Sequence, residues 1–201
     1  MAAARLQTRM TGAAKGVARM RVIAGSRRGI PLKTIDGTNT RPTSDKVKEA
    51  LFSKLGSFFD GGIAVELFGG SGSLSLESLS RGADEAWAFE KNPKACAIMK
   101  ANAEKCRFTS ELHIVRGDAR TAAKRLDAEG VKADLLFLDP PYAKREYYDL
   151  ALQFAEAGLL TDRAAIICEH DKQLELPASF GSYTTSGPTV YGGSALSIYR
   201  K

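Results

Sequence analysis

The sequence predicts an α/β fold, a doubly wound and mostly parallel sheet, and three observations carry this prediction. Apolar runs typical of strands alternate with helical segments from Ile63 onward. A glycine-rich turn follows the first of these runs, and acidic residues follow the next ones. Alternation of this kind builds a parallel sheet that helices cover on both faces, and ligands then bind at the carboxyl ends of its strands.

Strands are expected over residues 63–68, 86–90, 112–115, 135–139, 164–169 and 195–199, and helices around 73–80, 93–105, 119–126 and 147–157. No helical segment separates the apolar runs 180–185 and 195–199. These two runs are therefore expected to form a C-terminal antiparallel hairpin that closes the edge of the sheet.

A smaller basic unit precedes this sheet. Residues 20–24 and 30–34 are expected to form a short β-hairpin around a turn that contains Arg27 and Arg28. A helix then begins near Ser44, capped by Thr43 or Ser44, with one apolar face formed by Val47, Ala50, Leu51, Leu55 and Phe58. The chain thus divides into residues 1–19, expected to be a disordered extension, 20–60, the hairpin and helix, and 61–201, the main domain.

Positive charge is concentrated near the N-terminus. Residues 1–48 hold eleven Lys and Arg against two Asp and Glu, whereas the remaining residues hold 18 against 21. Concentrated positive charge suits a polyanion such as nucleic acid, although a solvated basic face fits it equally well. The hairpin residues Arg21, Arg27, Arg28 and Lys33 are the expected phosphate contacts.

Composition excludes several classes of protein. No apolar run approaches the length of about 18 residues that spans a bilayer, and no secretory signal is evident. The three cysteines have no metal-type spacing and two histidines are too few for a histidine-based metal site. A cytoplasmic protein with no metal, no membrane partner and a monomeric state is expected.

The first motif with chemical meaning is the turn after the first strand, Glu66-Leu67-Phe68-Gly69-Gly70-Ser71-Gly72-Ser73. Glycines at a strand-to-helix turn let the backbone approach a ligand closely. Ser75 occupies the third glycine place of a dinucleotide fingerprint, and the turn has no phosphate-binding lysine. The turn alone is also compatible with an ordinary tight connection.

A set of acids follows three successive strands. Glu90 lies 20 residues beyond Gly70, which is the spacing expected for a carboxylate that holds ribose hydroxyls. Asp118 could accept a hydrogen bond from an adenine amino group, and Glu66 ends the first strand. An adenosine ligand with a cationic sulfonium, S-adenosylmethionine, fits such a crevice, while a helix N-cap is the simpler alternative for each acid.

The most specific motif is Asp139-Pro140-Pro141-Tyr142 after the fourth strand. Two prolines fix the backbone so that the Asp139 carboxylate and the Pro140 carbonyl can both accept from one amino group. This arrangement would aim the nitrogen lone pair at a methyl donor, and Tyr142 offers a flat surface for a base removed from its stack. Asp139, Pro140 and Tyr142 are therefore the expected catalytic residues of an amino-methyltransferase.

These motifs resemble those of a known family. The order of the glycine turn and the Asp-Pro-Pro-Tyr segment resembles that of class I amino-methyltransferases. The segments Met20-Arg21-Val22-Ile23-Ala24-Gly25, Arg28-Gly29, Arg41-Pro42-Thr43-Ser44-Asp45-Lys46-Val47-Lys48-Glu49-Ala50-Leu51-Phe52, Leu76-Glu77-Ser78-Leu79-Ser80-Arg81-Gly82-Ala83 and Tyr191-Gly192 look like those of the RsmD family. Its members are bacterial guanine-N2 methyltransferases of 16S ribosomal RNA. The resemblance runs from Met20 to the end of the chain.

The resemblance implies a Rossmann-like methyltransferase domain and a set of functional residues. Arg41, Pro42 and Thr43 would lie over S-adenosylmethionine, and Asp139 and Tyr142 would handle the target base in the small ribosomal subunit. The expected cofactor-binding residues are Arg41, Pro42, Thr43, Glu66, Phe68, Gly70, Gly72, Glu90, Asp118 and Asp139. The sequence departs from the family at Glu66, where Asp is usual.

Three alternatives remain at this point. The Asp-Pro-Pro-Tyr segment does not separate guanine from adenine, so an adenine-N6 DNA methyltransferase stays open, although no segment for reading base edges in a groove is evident. A non-catalytic RNA-binding assembly factor is the second alternative. A nicotinamide-dependent oxidoreductase is the third, and Ser75 in the third glycine place argues against it.

Overall fold

The computed structural model describes residues 20–34, 45–141 and 145–201. Its centre is one sheet in which strands β1 to β5 are parallel in the order β3-β2-β1-β4-β5. These strands are β1 (Ile63–Glu66), β2 (Glu85–Glu90), β3 (Leu112–Arg116), β4 (Ala133–Leu138) and β5 (Leu160–Asp171). The predicted doubly wound parallel sheet is confirmed.

Four short antiparallel strands extend the sheet beyond β5. They are β6 (Ser179–Phe180), β7 (Tyr183–Thr184), β8 (Thr189–Tyr191) and β9 (Ser194–Arg200). The predicted hairpin between residues 180–185 and 195–199 is not formed as such: β7 pairs with β9 at one position, Thr184 with Arg200, which lies just beyond the predicted run. The tight hairpin partner of β9 is β8, which the sequence pattern did not indicate, and the turn at Gly192 has a positive φ of 64°.

Helices cover the parallel part of the sheet, and the described residues form five of them: α1 (Asp45–Leu55), α2 (Ser73–Ser80), α3 (Pro93–Cys106), α4 (Ala122–Ala128) and α5 (Asp149–Glu156). Short 3-10 turns lead into the last two, at Ala119–Thr121 and Arg145–Tyr147. One hydrophobic cluster holds α4 and α5 against one face, with Leu126 and Phe154 fully buried. The other cluster holds α1, α2 and α3 against the opposite face.

The N-terminal segment 20–34 packs into this second cluster through Val22 and Leu32. Its antiparallel pairing is shorter than predicted: one bridge pairs Arg21 with Pro31, and it is held by hydrogen bonds from the Val22 N–H to the Ile30 carbonyl at 3.0 Å and from the Leu32 N–H to the Met20 carbonyl at 2.8 Å. A 3-10 turn, Gly25–Arg27, makes the tip. We call residues 20–34 the basic hairpin. The predicted extension 1–19 lies outside the described residues.

Helix α1 is shorter than its predicted apolar face. It ends at Leu55, and Gly56 follows with a φ of 123° that other residues rarely adopt. Phe58 is therefore not on the helix, and its side chain is 69% exposed instead of joining the core. The predicted caps Thr43 and Ser44 lie outside the described residues.

Candidate active site

The carboxyl ends of β1 and β4 meet where the order of the sheet reverses. β1 pairs with β2 on one side and with β4 on the other, so the connections after β1 and after β4 leave in opposite directions. A crevice between two such connections is where open α/β sheets bind ligands. The glycine turn follows β1, and Asp139 follows β4 directly.

The glycines of the turn serve two purposes. A Cβ atom on Gly69 or Gly72 would come within 2.5 and 2.6 Å of the Met99 side chain, so both allow the turn to pack closely against α3. A Cβ on Gly70 would meet nothing nearer than the Phe68 carbonyl oxygen at 4.0 Å. The turn is thus open at Gly70, the position through which a ligand can approach the backbone.

Glu90, the last residue of β2, holds this turn from the side. One carboxylate oxygen accepts from the Gly70 N–H at 2.9 Å and the other accepts from the Asn92 N–H at 2.7 Å. Each oxygen has a further lone pair, and the side chain is only partly buried. Glu90 can therefore hold the glycine turn and two ribose hydroxyls together.

Glu66 lies beneath the turn and is buried. Its carboxylate accepts from the backbone N–H of Ser75 at 3.1 Å and makes a short hydrogen bond with the Ser75 hydroxyl. Burial raises the pKa of Glu66 to about 7, and the hydrogen bonds from Ser75 oppose this shift. Ser75, which the sequence pattern marked only as a missing glycine, is the partner that holds this carboxylate under the N-terminus of α2.

Asp118 is engaged by its neighbour Arg120. One carboxylate oxygen accepts from the Arg120 backbone N–H at 2.9 Å and from its Nε at 2.8 Å, and the other accepts from Nη2 at 2.8 Å. These hydrogen bonds lower the pKa of Asp118 to about 2, so the group is a carboxylate throughout the neutral range. The second oxygen keeps a lone pair that an amino group could use.

Asp139 and Pro140 lie on the opposite side of the crevice. β4 ends at Leu138, so Asp139 is the first residue beyond the strand; it is partly buried and Pro140 is buried. The register pairs Phe137 with Glu66, which places Asp139 beside the start of the glycine turn. The predicted residues Arg41, Pro42, Thr43 and Tyr142 lie outside the described residues.

An aromatic pair lies at the edge of the crevice. The rings of Phe68 and Tyr147 meet edge to face with their centroids 5.2 Å apart. Phe68 belongs to the predicted cofactor set, whereas Tyr147 was expected only to start a helix. Arg120 lies near Tyr147, so the charged and aromatic side chains share one edge of the site.

The four basic residues predicted to contact phosphates differ in their surroundings. Arg21 pairs with Asp45 at 3.0 Å. Arg27 is partly buried: its Nε donates to the Cys106 carbonyl at 2.6 Å and its guanidinium lies 5.0 Å from the centre of the Phe108 ring. Arg28 and Lys33 are exposed, and their side-chain cations have no partner within the described ranges. Arg27 therefore has a structural role that the sequence did not indicate.

A buried ionic network joins the basic hairpin to α1 and α2. Glu77 accepts from the backbone N–H groups of Ile23 and Ala24 at 2.8 and 3.0 Å. It also pairs with Lys48 at 3.3 Å and with Arg81 at 2.8 Å. Burial lowers the pKa of Lys48, although the Glu77 charge opposes this effect.

Lys48 reaches the glycine turn as well. Its Nζ donates to the Arg21 carbonyl at 2.6 Å and to the hydroxyl of Ser73, the first residue of α2, at 3.0 Å. Sequence reasoning missed this network. The one local sign of the network in the sequence was the spacing of four residues between Glu77 and Arg81, which is typical of a helical ion pair.

The described residues contain neither a candidate metal centre nor a candidate membrane span. In the part of the chain that the structure describes, no group of three or more His, Cys, Asp or Glu residues could hold a metal ion. No helix among residues 20–34, 45–141 and 145–201 is long and apolar enough to cross a membrane.

The sheet order, the glycine turn open at Gly70 and the carboxylates around it define the class of protein. It is a methyltransferase with a Rossmann-like sheet, and S-adenosylmethionine is the cofactor expected for it. In agreement, the described residues fit this cofactor, because the open glycine faces acids suited to hydroxyl, amino and sulfonium groups.

A family model matches nearly the whole chain. The model of the family described as "Conserved hypothetical protein 95" matches residues 20–200, and the chain belongs to this family. YlbH of Bacillus subtilis (strain 168) is 37% identical over 182 residues, which cover 90% of this chain and 99% of that protein. Ribosomal RNA small subunit methyltransferase D of Haemophilus influenzae is 32% identical over 161 residues, covering 78% of this chain and 81% of that protein.

Solved structures share the fold. A hypothetical protein from Thermus thermophilus aligns with a TM-score of 0.77 and 27% identity, covering 90% of this chain and 99% of that chain. SMU.776, solved in complex with SAH, aligns with a TM-score of 0.60 and 13% identity, covering 76% of this chain and 49% of that chain. The second likeness concerns the fold alone.

Proposed function

We propose that the protein transfers the methyl group of S-adenosylmethionine to the exocyclic N2 amine of a guanine in 16S ribosomal RNA, within the small ribosomal subunit. The observation that carries the reaction type is the position of Asp139 and Pro140. They follow β4 directly, at the switch point of the sheet and beside the glycine turn. An amine bound there would face a methyl donor bound at Gly70.

The chain's own groups position the two reactants. Glu90 would accept from the ribose hydroxyls, and Asp118 from the adenine amino group, while Gly70 gives the ligand access to the backbone. When bound, S-adenosylmethionine supplies an electrophilic methyl group on a sulfonium. Arg41, Pro42 and Thr43, which lie outside the described residues, would cover its methionine part.

Asp139 and Pro140 would act on the target base. The Asp139 carboxylate and the Pro140 carbonyl both accept from the amino group and direct its lone pair toward the methyl group. As the nitrogen takes the methyl group, the S–C bond breaks and the sulfonium becomes a neutral thioether. The carboxylate stabilises the positive charge that grows on the nitrogen, which then loses one N–H proton to water. Tyr142 would support the base from its flat side.

Two arguments support ribosomal RNA as the substrate. Relatives from Haemophilus influenzae and Escherichia coli (strain K12) are named Ribosomal RNA small subunit methyltransferase D. The basic hairpin offers Arg28 and Lys33 to a polyanion. Guanine-N2 as the acceptor rests on the resemblance to the RsmD family, since the Asp-Pro-Pro-Tyr segment suits any exocyclic amine.

The test is to incubate the protein with tritiated S-adenosylmethionine and small subunits that lack this modification, digest the RNA and identify the labelled nucleoside. Labelled N2-methylguanosine is the expected product. Label on N6-methyladenosine would move the acceptor to adenine and overturn the guanine assignment. Absence of label from subunits to which the protein binds would favour the non-catalytic assembly factor.

The substitution Asp139→Ala tests the role proposed for Asp139 in the mechanism. Methylation should fall about 10²–10³-fold, as expected when one group that stabilises transition-state charge is removed. The melting temperature should change little, because the side chain lies beyond the strand end and outside both hydrophobic clusters. Full activity of this variant would contradict the assigned role of Asp139.

A further inference from the structure

Helix α3 ends in a way that its sequence does not favour. Arg107 caps it in the left-handed conformation, with a φ of 56°, and it is the one non-glycine residue with positive φ in the described part of the chain. The Arg107 N–H donates to Glu104 and the Phe108 N–H donates to Ala103 at 2.9 Å, which is the bonding of a Schellman cap. Glycine is the usual residue at this position, because a Cβ atom is disfavoured there.

Among residues 20–34, 45–141 and 145–201, no contact accounts for arginine at this position. The Arg107 side chain is exposed, and its guanidinium has no hydrogen bond or ion pair with any described residue. A cation near a helix C-terminus can interact with the helix dipole, but Arg27 already donates to the carbonyl of Cys106, the last helical residue. The strained cap therefore holds a free positive charge at the surface.

That surface is continuous with the basic hairpin. Lys105 donates to the Pro31 carbonyl at 2.7 Å, so the end of α3 and the hairpin are in direct contact. Residues 20–34 contain four basic residues and no acid, and Glu104 is the one acid of α3. We name Arg28, Lys33, Lys105 and Arg107 the basic surface.

The basic surface is also fastened to the cofactor site. The Asn102 side chain accepts from the Lys33 N–H at 2.8 Å, and it donates to the Lys33 and Ser71 carbonyls at 3.0 and 2.9 Å. Ser71 belongs to the glycine turn. The basic surface therefore begins beside the turn at Lys33 and extends to the C-terminal end of α3, where Arg107 lies about 8 Å beyond Asn102 at 1.5 Å per residue.

We infer that Arg107 is an RNA phosphate contact, and that the RNA-binding surface continues from the basic hairpin onto the C-terminal end of α3. This inference rests on the proposed function for its partner, ribosomal RNA. Lys105 fastens this surface to the hairpin, whereas the side chains of Arg28, Lys33 and Arg107 have no partner among the described residues. Exposed cations of this kind, one of them on a strained residue, suit a polyanion.

The test is Arg107→Gly, for which the inference expects the stability of the protein to increase and its affinity for RNA to decrease. The melting temperature should rise, because glycine adopts the left-handed cap without strain. The dissociation constant for unmethylated small subunits should rise about fivefold, and the slope of log K against log salt should fall by about one phosphate contact.

Three variants serve as controls. Arg107→Lys keeps the charge and should retain most of the binding, and Glu104→Gln should strengthen binding because it removes the acid beside the contact. Lys124→Ala removes an exposed cation from α4, on the opposite face of the sheet, and should leave binding unchanged. If Lys124→Ala weakens binding as much as Arg107→Gly, the effect is one of net charge and the inference fails.

The outcomes separate this inference from the proposed function. If the wild-type protein methylates the subunits and Arg107→Gly binds them with unchanged affinity and salt slope, Arg107 is only a helix cap and the inference is overturned. If the wild-type protein neither binds nor methylates the subunits, the proposed function fails, and the inference fails with it.

Discussion

Glu77 and Glu90 both hold backbone N–H groups of a neighbouring loop, yet they differ in what they leave open. Glu77 is fully buried, and two N–H groups and two cations occupy its oxygens. Glu90 accepts two N–H groups and is partly exposed at the crevice. A carboxylate whose acceptors are filled by the fold is structural, and one with acceptors remaining at a crevice can bind a ligand.

Of the substitutions that test this comparison, Glu77→Gln should have the largest effect on the unfolding free energy. Lys48 and Arg81 would keep their charges in the interior without a counter-charge, since both are at most 5% exposed. Removing one partner of a buried ion pair costs about 3–5 kcal/mol of unfolding free energy. Urea denaturation would measure it, with Glu104→Gln on the surface as the control, and a loss below about 1 kcal/mol would remove the distinction between the two sites.

Glu66 combines the two situations, because it is buried like Glu77 but ends a strand at the crevice like Glu90. Its folded pKa of about 7 lies above the ordinary value of 4.5. The stabilisation from the protonated form is therefore complete below pH 4.5 and is lost as the pH rises through about 7.

Glu66→Gln should remove the pH-dependent loss of stabilisation, because an amide does not titrate in this range. Relative to the wild type, the variant should gain on the order of 2 kcal/mol of unfolding free energy between about pH 5 and pH 8. Denaturation at both pH values would measure this gain, with Glu111→Gln as the control. A constant difference between variant and wild type across this range would show that Glu66 does not titrate there.

Glu90→Gln tests whether the remaining acceptors of Glu90 bind the ligand, and it should have the smallest effect in free energy. Cofactor binding should weaken about tenfold, or about 1.4 kcal/mol, because the amide has one acceptor oxygen where the carboxylate has two. Calorimetry with S-adenosylhomocysteine would measure the change. Glu85→Gln, at the other end of β2 and paired with His113, is the control. Equal effects of the two substitutions would argue against a ribose contact.

Sequence reasoning located the crevice because its signals are local. The apolar runs at β1, β2 and β4 identify buried parallel strands, and the Gly70-to-Glu90 spacing indicated that Glu90 lies at the crevice. Its hydrogen bond with the Gly70 N–H at 2.9 Å was not predicted. The order of the turn and the Asp-Pro-Pro-Tyr segment follows from chain connectivity. These features depend on strand ends meeting at one edge, which the parallel topology guarantees.

The rest depends on contacts between distant parts of the chain. Lys48 is 29 residues from Glu77, and on α1 it reads as an ordinary polar residue beside the apolar face. All eight residues of α2 are buried, although half of them are serine, so helical periodicity gave no sign of which face was covered. The conformation of Arg107 likewise follows from the bonding of Phe108, which no local propensity predicts.

The side-chain amide of Asn102 sets the distance between the basic surface and the glycine turn. Asn102 is fully buried, and its three hydrogen bonds join Lys33 and Ser71 directly to α3. RNA bound on the basic surface, as proposed, would be held at a fixed distance from the methyl donor. The distance between the target base and the phosphates held at the end of α3 would then be one determinant of which nucleotide is methylated.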